Sequence, residues 1–153
     1  MPNTFSQIYL QFVFSVKYRQ ALIPKIHKEE LHKYITALVQ NRQAKMLAVN
    51  CMPDHIHLFV GYKPTYYIPD FVNEIKVKSN EFITDKKWIN AKFNWQNGYG
   101  VFSYSRSHID RVIKYINNQE EHHKKTNFRE EYTGLLKKFD IRYEDKYLFE
   151  FFD

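Results

Sequence analysis

A single cysteine, Cys51, stands among the 153 residues, so no intrachain disulfide can form and the chain reads as one made for a reducing, cytoplasmic setting. Only 4 glycines are present and none falls in a Gly-x-x-x-x-Gly-Lys-Ser/Thr pattern, which argues against ATP or GTP chemistry through a phosphate loop. No apolar run approaches the ~20 residues that cross a bilayer. The start, Met1-Pro2-Asn3-Thr4, lacks the charged-then-apolar pattern of a signal peptide. Repeats and low-complexity tracts are also missing. Acidic residues are sparse around the most conspicuous histidines, with Asp54 alone beside them, so two-metal nuclease chemistry is disfavoured.

What the chain does have is apolar material and positive charge. A hydrophobic fraction of 44% with 18% aromatic residues is ample for one packed domain of this length. The net charge is +6, and it is uneven: residues 1–115 hold 16 basic and 8 acidic side chains, whereas residues 116–153 hold 7 and 9. A polyanionic partner would therefore meet the first three quarters of the chain.

Ile8, Leu10, Phe12, Phe14 and Val16 alternate with polar residues, the period of a half-buried strand. After Pro24, Leu31, Tyr34, Ile35, Leu38 and Val39 follow one helix face, predicting a helix that ends near Gln43. Met46–Cys51 and the alternating Ile56, Leu58, Val60 and Tyr62 flank Met52-Pro53-Asp54, an antiparallel hairpin. A second helix starts at Ile68, just before Pro69, and carries Phe71, Val72, Ile75, Phe82 and Ile83. Phe93–Trp95 and Val101–Ser105 surround Asn97-Gly98-Tyr99-Gly100, a fourth strand broken by a turn. Ser107, with Asp110 three residues on, is the expected N-cap of a third helix running to about Lys124. The tail from Thr126 is too apolar for a linker and is expected to pack back on the domain or on another subunit. This order is the split βαβ pattern: an α+β, ferredoxin-like, four-stranded antiparallel sheet with helices on one face.

His55-Ile56-His57 is the sharpest local feature. On a strand, residues two apart share a face with Cα atoms roughly 6.6 Å apart, close enough for both imidazoles to meet one ion at about 2.1 Å. The pair reads as a chelate or as two surface histidines on an open sheet face opposite Ile56, Leu58 and Val60. Tyr115 and Gln119 stand at i and i+4 on the third helix, and His122 continues the line. A tyrosine can be a nucleophile when its phenol is deprotonated, and a glutamine offers a carbonyl oxygen to a metal. Lys76, Lys78, Lys86, Lys87 and Lys92 interleave with Phe82, Trp88, Phe93 and Trp95, a composition suited to gripping phosphates and stacking bases, with Arg111 a further DNA-binding candidate.

Three blocks in order resemble one family: Met52-Pro53-Asp54-His55-Ile56-His57-Leu58, Trp95-Gln96-Asn97-Gly98-Tyr99-Gly100-Val101-Phe102-Ser103, and Tyr115-Ile116-Asn117-Asn118-Gln119-Glu120-Glu121-His122-His123. They look like the signature blocks of the IS-two-hundred-like transposases, the TnpA-type single-tyrosine members of the HUH endonuclease superfamily. The resemblance runs from about Phe5 to the Tyr143–Leu148 tail. It implies a transposase domain over residues 1–125 with the tyrosine helix at the sheet edge and a tail over residues 126–153. It also implies Mg²⁺ or Mn²⁺ held by His55, His57 and Gln119, Tyr115 as nucleophile, and no nucleotide cofactor; Asp54 and His122, beside these residues, are candidates for supporting the ligands or contacting a phosphate. The implied substrate is a single-stranded DNA hairpin at the ends of a mobile element, handled by a homodimer in which each tyrosine helix can serve the partner's histidines, with no membrane involved. Relatives of the REP-associated tyrosine transposases, a non-catalytic hairpin-binding module, and a metal-binding regulatory domain are the competing expectations.

Overall fold

In the computed structural model, which describes residues 4–144 and Leu148, β1 (Tyr9–Ser15) runs through the middle of a four-stranded sheet. The hairpin follows as β2 (Lys45–Met52) and β3 (His55–Gly61), and β4 (Gly100–Tyr104) closes the sheet in the order β2-β3-β1-β4. All pairings are antiparallel: β1 faces β3 from Tyr9 opposite Gly61 to Ser15 opposite His55, and faces β4 from Tyr9 opposite Tyr104 to Val13 opposite Gly100. The ferredoxin-like sheet read from periodicity is present. The interrupted fourth strand is present too, since Trp95 makes an isolated bridge to Val16 and the chain turns through Gly98, at φ 87°, before β4 begins.

Between the strands lie α1 (Lys28–Asn41) and α2 (Ile68–Lys86), the latter with Pro69 in its first turn, where a missing N–H costs nothing. Both helices cover the face formed by Leu10, Phe12, Phe14, Ile56, Leu58 and Val60, contributing Leu31, Ile35 and Val39 from α1 and Phe71, Val72, Ile75 and Ile83 from α2. Strict alternation in β1 and β3 puts these side chains on one side, and each helix offers one apolar stripe to them.

The opposite face is covered as well. Along one flank, α3 (Ile109–Asn117) lays Val112 and Ile116 on Ala48 and Phe59. Along the other, α5 (Phe128–Lys138) lays Phe128, Tyr132, Leu135 and Leu136 on Val13 and Phe102. The aromatic residues at 147, 149, 151 and 152 and the end of the tail motif lie outside the described residues, apart from Leu148.

Two local expectations are corrected. Ser107 does not cap the third helix: residues Arg106–His108 form a short 3₁₀ turn, and Ser107 Oγ bonds Ser105 Oγ at 2.8 Å instead. Nor does that helix run unbroken to Lys124, for it stops at Asn117 and resumes as α4 (Gln119–His122). In a continuous helix the Ile116 carbonyl would accept from Glu120 N–H. Here it accepts from Asn50 Nδ2 at 2.8 Å, a tertiary bond from β2 at the point of the break.

Candidate metal and tyrosine site

The second face of β1 and β3 carries Gln11, Ser15, His55 and His57 at positions that alternate with the apolar core, and all four are buried. His55 is 1% and His57 0% exposed, so neither is a surface histidine on an open sheet. Buried polar groups must find partners. His57 Nδ1–H donates to Gln11 Oε1 at 2.8 Å, and Gln11 Nε2 in turn donates to Tyr104 Oη at 2.8 Å. His55 Nδ1–H donates to Asp54 Oδ1 at 2.7 Å. Each imidazole thus spends its N–H on a side-chain oxygen and turns Nε2 inward, the arrangement by which carboxylates and carbonyls orient metal-binding histidines.

Four further groups surround the two Nε2 atoms. Gln119 Oε1 lies 3.4 Å from His55 Nε2, brought there by α4. Glu131, from the first turns of α5, places Oε1 3.1 Å from His57 Nε2 and 3.6 Å from His55 Nε2. Its Oε2 accepts from Gln119 Nε2 at 2.8 Å and from the Tyr115 hydroxyl. His123 Nε2–H donates to both Gln119 Oε1 and Glu131 Oε1, at 2.9 and 3.0 Å. His122 stands at the rim, its Nε2 3.6 Å from Glu131 Oε2 and its ring 5.3 Å from that of Tyr115. A single chain therefore brings Tyr115 to its own histidine pair.

The electrostatics follow from this packing. Burial lowers the His55 imidazole, with Asp54 opposing, which favours the neutral form that binds metals. Burial alone would raise the Glu131 carboxyl, but the hydrogen bond from His123 and the closeness of the His57 imidazole outweigh it and hold the group far below the usual carboxylate range. Burial of the Tyr115 phenol, reinforced by the facing Glu131 carboxylate, pushes it far above the ordinary tyrosine range, so it is un-ionised in the ligand-free chain. Among the described residues, His55, His57 and Glu131 offer ligand atoms all within 4.8 Å of one another. Two imidazole nitrogens with carboxylate and amide oxygens suit a divalent first-row ion or Mg²⁺.

Tyr115 opens into a groove of about 620 Å³ lined by Tyr104, His108, Arg111, His122, Glu131 and Lys138. Arg111, one of the DNA-binding candidates, is exposed there. The lysines are elsewhere. Lys76 is a correction: its ammonium donates to the Gln96 and Gly98 carbonyls at 2.7 Å each and lies over Phe14, so it holds the chain before β4 instead of facing a phosphate. Lys86 pairs with Glu30 at 3.0 Å, and Lys78, Lys87 and Lys92 are exposed on or just beyond α2, which covers the face away from the histidines.

Sequence reasoning missed Gln11, His123 and Glu131, and the expectation that Asp54 is the one acid beside the histidines is wrong. The available signal was Glu131 lying within the apolar stripe Phe128, Tyr132, Leu135 and Leu136 of α5, where a solvated carboxylate does not belong.

Among the described residues no helix is long and apolar enough to cross a membrane. Residues 4–119 match the family model described as "Transposase IS200 like". The ISDra2 transposase TnpA of Deinococcus radiodurans is 25% identical over 122 residues, covering 75% of this chain and 86% of that protein. The transposase for insertion sequence element IS200 of Salmonella typhimurium is 25% identical over 118 residues, covering 73% of this chain and 76% of that one. In fold, the chain is similar to a crystal structure from Deinococcus radiodurans R1, with TM-score 0.60 at 24% identity over 78% of this chain and 95% of that one. A REP-associated tyrosine transposase bound to a REP hairpin gives TM-score 0.59 at 13% identity, over 80% of this chain and 73% of that one. With the model spanning most of its length, the chain belongs to the IS200-like transposase family.

Proposed function

We propose that the chain is a metal-dependent transposase that cuts and rejoins single-stranded DNA beside a hairpin, with Tyr115 as nucleophile and His55, His57 and Gln119 holding Mg²⁺ or Mn²⁺. The observation that carries this reading is the convergence of the Tyr115 hydroxyl, both histidine Nε2 atoms and Gln119 on one cluster, at the end of a groove edged by Arg111, His108 and Lys138. The groove admits a phosphodiester, and the basic groups along it draw the DNA backbone. A divalent ion bound between the histidines would supply positive charge to the phosphoryl oxygens as negative charge builds there.

The Tyr115 oxygen, oriented by the hydrogen bond it donates to Glu131 Oε2, forms a bond to phosphorus as the bond from phosphorus to the 3′-oxygen breaks; the phenol proton is released to solvent and the departing 3′-oxygen takes one up from solvent. The products are a 5′-phosphotyrosine and a free 3′-hydroxyl. Because the covalent bond conserves the phosphodiester energy, a second 3′-hydroxyl can reverse the step and join new strands, so no nucleotide cofactor is needed. His57 is fixed by Gln11 and His55 by Asp54, so neither ring turns during the exchange. The working form is a cytoplasmic homodimer, with α5 packed on the same domain as residues 1–125.

The test is end-labelled single-stranded DNA carrying the hairpin from the gene's own flank, incubated with Mn²⁺, Mg²⁺ or EDTA and resolved on a denaturing protein gel. A labelled, protein-sized band that needs metal is expected, and Tyr115→Phe should reduce it about 10³-fold or more while hairpin affinity holds. A Tyr115→Phe variant that still forms the band would overturn the assignment. Tight hairpin binding with no band in the unaltered chain would shift the reading to a non-catalytic binding module.

A further inference from the structure

The second faces of β1 and β3 converge on a cluster of acceptors that one bound cation would reconcile. His57 has committed its Nδ1–H to Gln11, and His55 its Nδ1–H to Asp54, so in neutral imidazoles both Nε2 atoms present lone pairs. Those lone pairs face three oxygen-acceptor contacts: Glu131 Oε1 at 3.1 Å from His57, the same oxygen at 3.6 Å from His55, and Gln119 Oε1 at 3.4 Å from His55. The Gln119 amide cannot turn to relieve this, because its Nε2 donates to Glu131 Oε2 at 2.8 Å and its Oε1 accepts from His123. A bound cation would turn these opposed lone pairs into shared ligands.

The spacings suit one ion. Ligands at about 2.1 Å and right angles around a metal lie about 3 Å apart, and opposite ligands about 4.2 Å. The separations of 3.1, 3.4 and 3.6 Å are near the right-angle value, and no ligand atom of the His55, His57 and Glu131 set is more than 4.8 Å from another.

We propose that Glu131 is a direct ligand of this ion, so that the site is His55, His57, Glu131 and Gln119 and its anionic ligand comes from α5, beyond the residues that the family model covers. This rests on the metal-dependent reading above. Glu131 is delivered by packing: Phe128 stacks on the His55 ring at 4.0 Å and 11°, and Tyr132, Leu135 and Leu136 dock α5 on Val13 and Phe102. Asn127 caps the helix by accepting from Glu130 N–H at 2.9 Å, which sets the carboxylate near the positive end of the helix. Glu131 Oε1 faces the two histidines while Oε2 holds the Tyr115 hydroxyl, so one carboxylate ties the position of the nucleophile to that of the histidine pair. It also lowers the net charge of an occupied site by one relative to a set of two histidines and a glutamine.

The test measures Mn²⁺ binding by electron paramagnetic resonance on the full chain, with no DNA present. The unaltered chain should bind one Mn²⁺, Tyr115→Phe should bind it within about 2-fold, and Glu131→Gln should weaken it at least about 10-fold. His57→Ala serves as the control for the reading itself. Glu131→Gln binding as tightly as the unaltered chain, while His57→Ala loses the ion, would overturn the proposal and leave the metal-dependent reading standing; an unaltered chain that binds no Mn²⁺ would overturn both. Folding of the variants is checked by circular dichroism. Independently of any variant, anomalous scattering from Mn²⁺ in crystals of the unaltered chain should place the ion about 2.0–2.4 Å from a Glu131 oxygen, and a separation beyond about 3.5 Å would overturn the proposal.

Discussion

On one face of the sheet Phe12, Leu58 and Val60 meet α1 and α2 with no polar group to satisfy, whereas one residue away on the same strands Gln11, His55 and His57 are equally buried and each is held by hydrogen bonds to named partners. Both faces are dry, but they derive their order from different forces. The first is stabilised by apolar area removed from water, at roughly 25 cal/mol per Å². The second gains little from burial, since each desolvated polar group must recover what it lost to water through bonds of fixed geometry. Two apolar flanks make this possible: Val112 and Ile116 seal one side and Phe128 with Leu135 the other, so the polar seam between them is kept in position by hydrophobic packing around it. Because the period of a strand is two, a slip of one residue would exchange the faces completely, which makes the register a single decision shared by core and site.

The largest way to break the comparison is to hollow out the apolar side. Phe12 is fully buried, with ring centroids 5.3 Å from Phe71 and 5.9 Å from Tyr62. Phe12→Ala should cost about 3–5 kcal/mol in urea unfolding while leaving Mn²⁺ affinity of the folded chain near that of the unaltered protein. A cost under about 1 kcal/mol, or a matching loss of metal affinity, would mean that the two faces are not separate contributors.

The two faces also differ in how far they can be read from the chain alone. Alternation in β1 and β3 and the 3.6-residue spacing of α1 and α2 specify the apolar side almost residue by residue, because hydrophobic burial is non-directional and leaves its mark as a pattern. The polar side is legible only where partners are near in sequence: His55 with His57, and Tyr115 with Gln119. Glu131 is 74 residues from His57 and joins it only because α5 docks there, so a carboxylate that a helix would ordinarily show to water enters the site. The break at Asn118 is equally hidden, for it accompanies a tertiary hydrogen bond from Asn50 to Ile116 that no local spacing encodes.

A smaller effect sharpens the contrast through pH. His32, on α1, is one of the polar side chains on the apolar side: it is buried, its Nε2 accepts from Cys51 N–H at 3.0 Å, and Glu29 stands 3.9 Å from Nδ1. Burial pulls this imidazole down to about 4, with Glu29 opposing and Lys28 assisting. Its folded value lies below the unfolded one of about 6.5, so the unfolded chain binds the extra proton and stability falls as pH drops through that interval. Between pH 6.5 and 5 the loss should be about 1.5 kcal/mol. His55, also lowered, acts in the same sense, and His123, raised, in the opposite one, so the difference between the unaltered chain and His32→Gln isolates His32. Equal slopes of urea midpoint against pH in the two proteins would refute the assignment.

The smallest expected effect on stability tests whether the polar seam depends on its flank. Gly100, opposite Val13 where β4 begins, leaves room for Tyr132: a Cβ there would lie 2.8 Å from Tyr132 Cε1 and Oη and 3.0 Å from Phe102 Cε2. Gly100→Ala should cost about 1–2 kcal/mol, since the ring must shift to admit one methyl group. Tyr132 follows Glu131 directly on α5, so a ring pushed away from Gly100 presses on the helix that presents the carboxylate. Mn²⁺ affinity should therefore fall together with stability, unlike the outcome for Phe12→Ala, where a larger loss of stability leaves the ion in place. If Gly100→Ala binds Mn²⁺ as the unaltered chain does, α5 tolerates movement against the sheet and the geometry of the seam is set by its own hydrogen bonds.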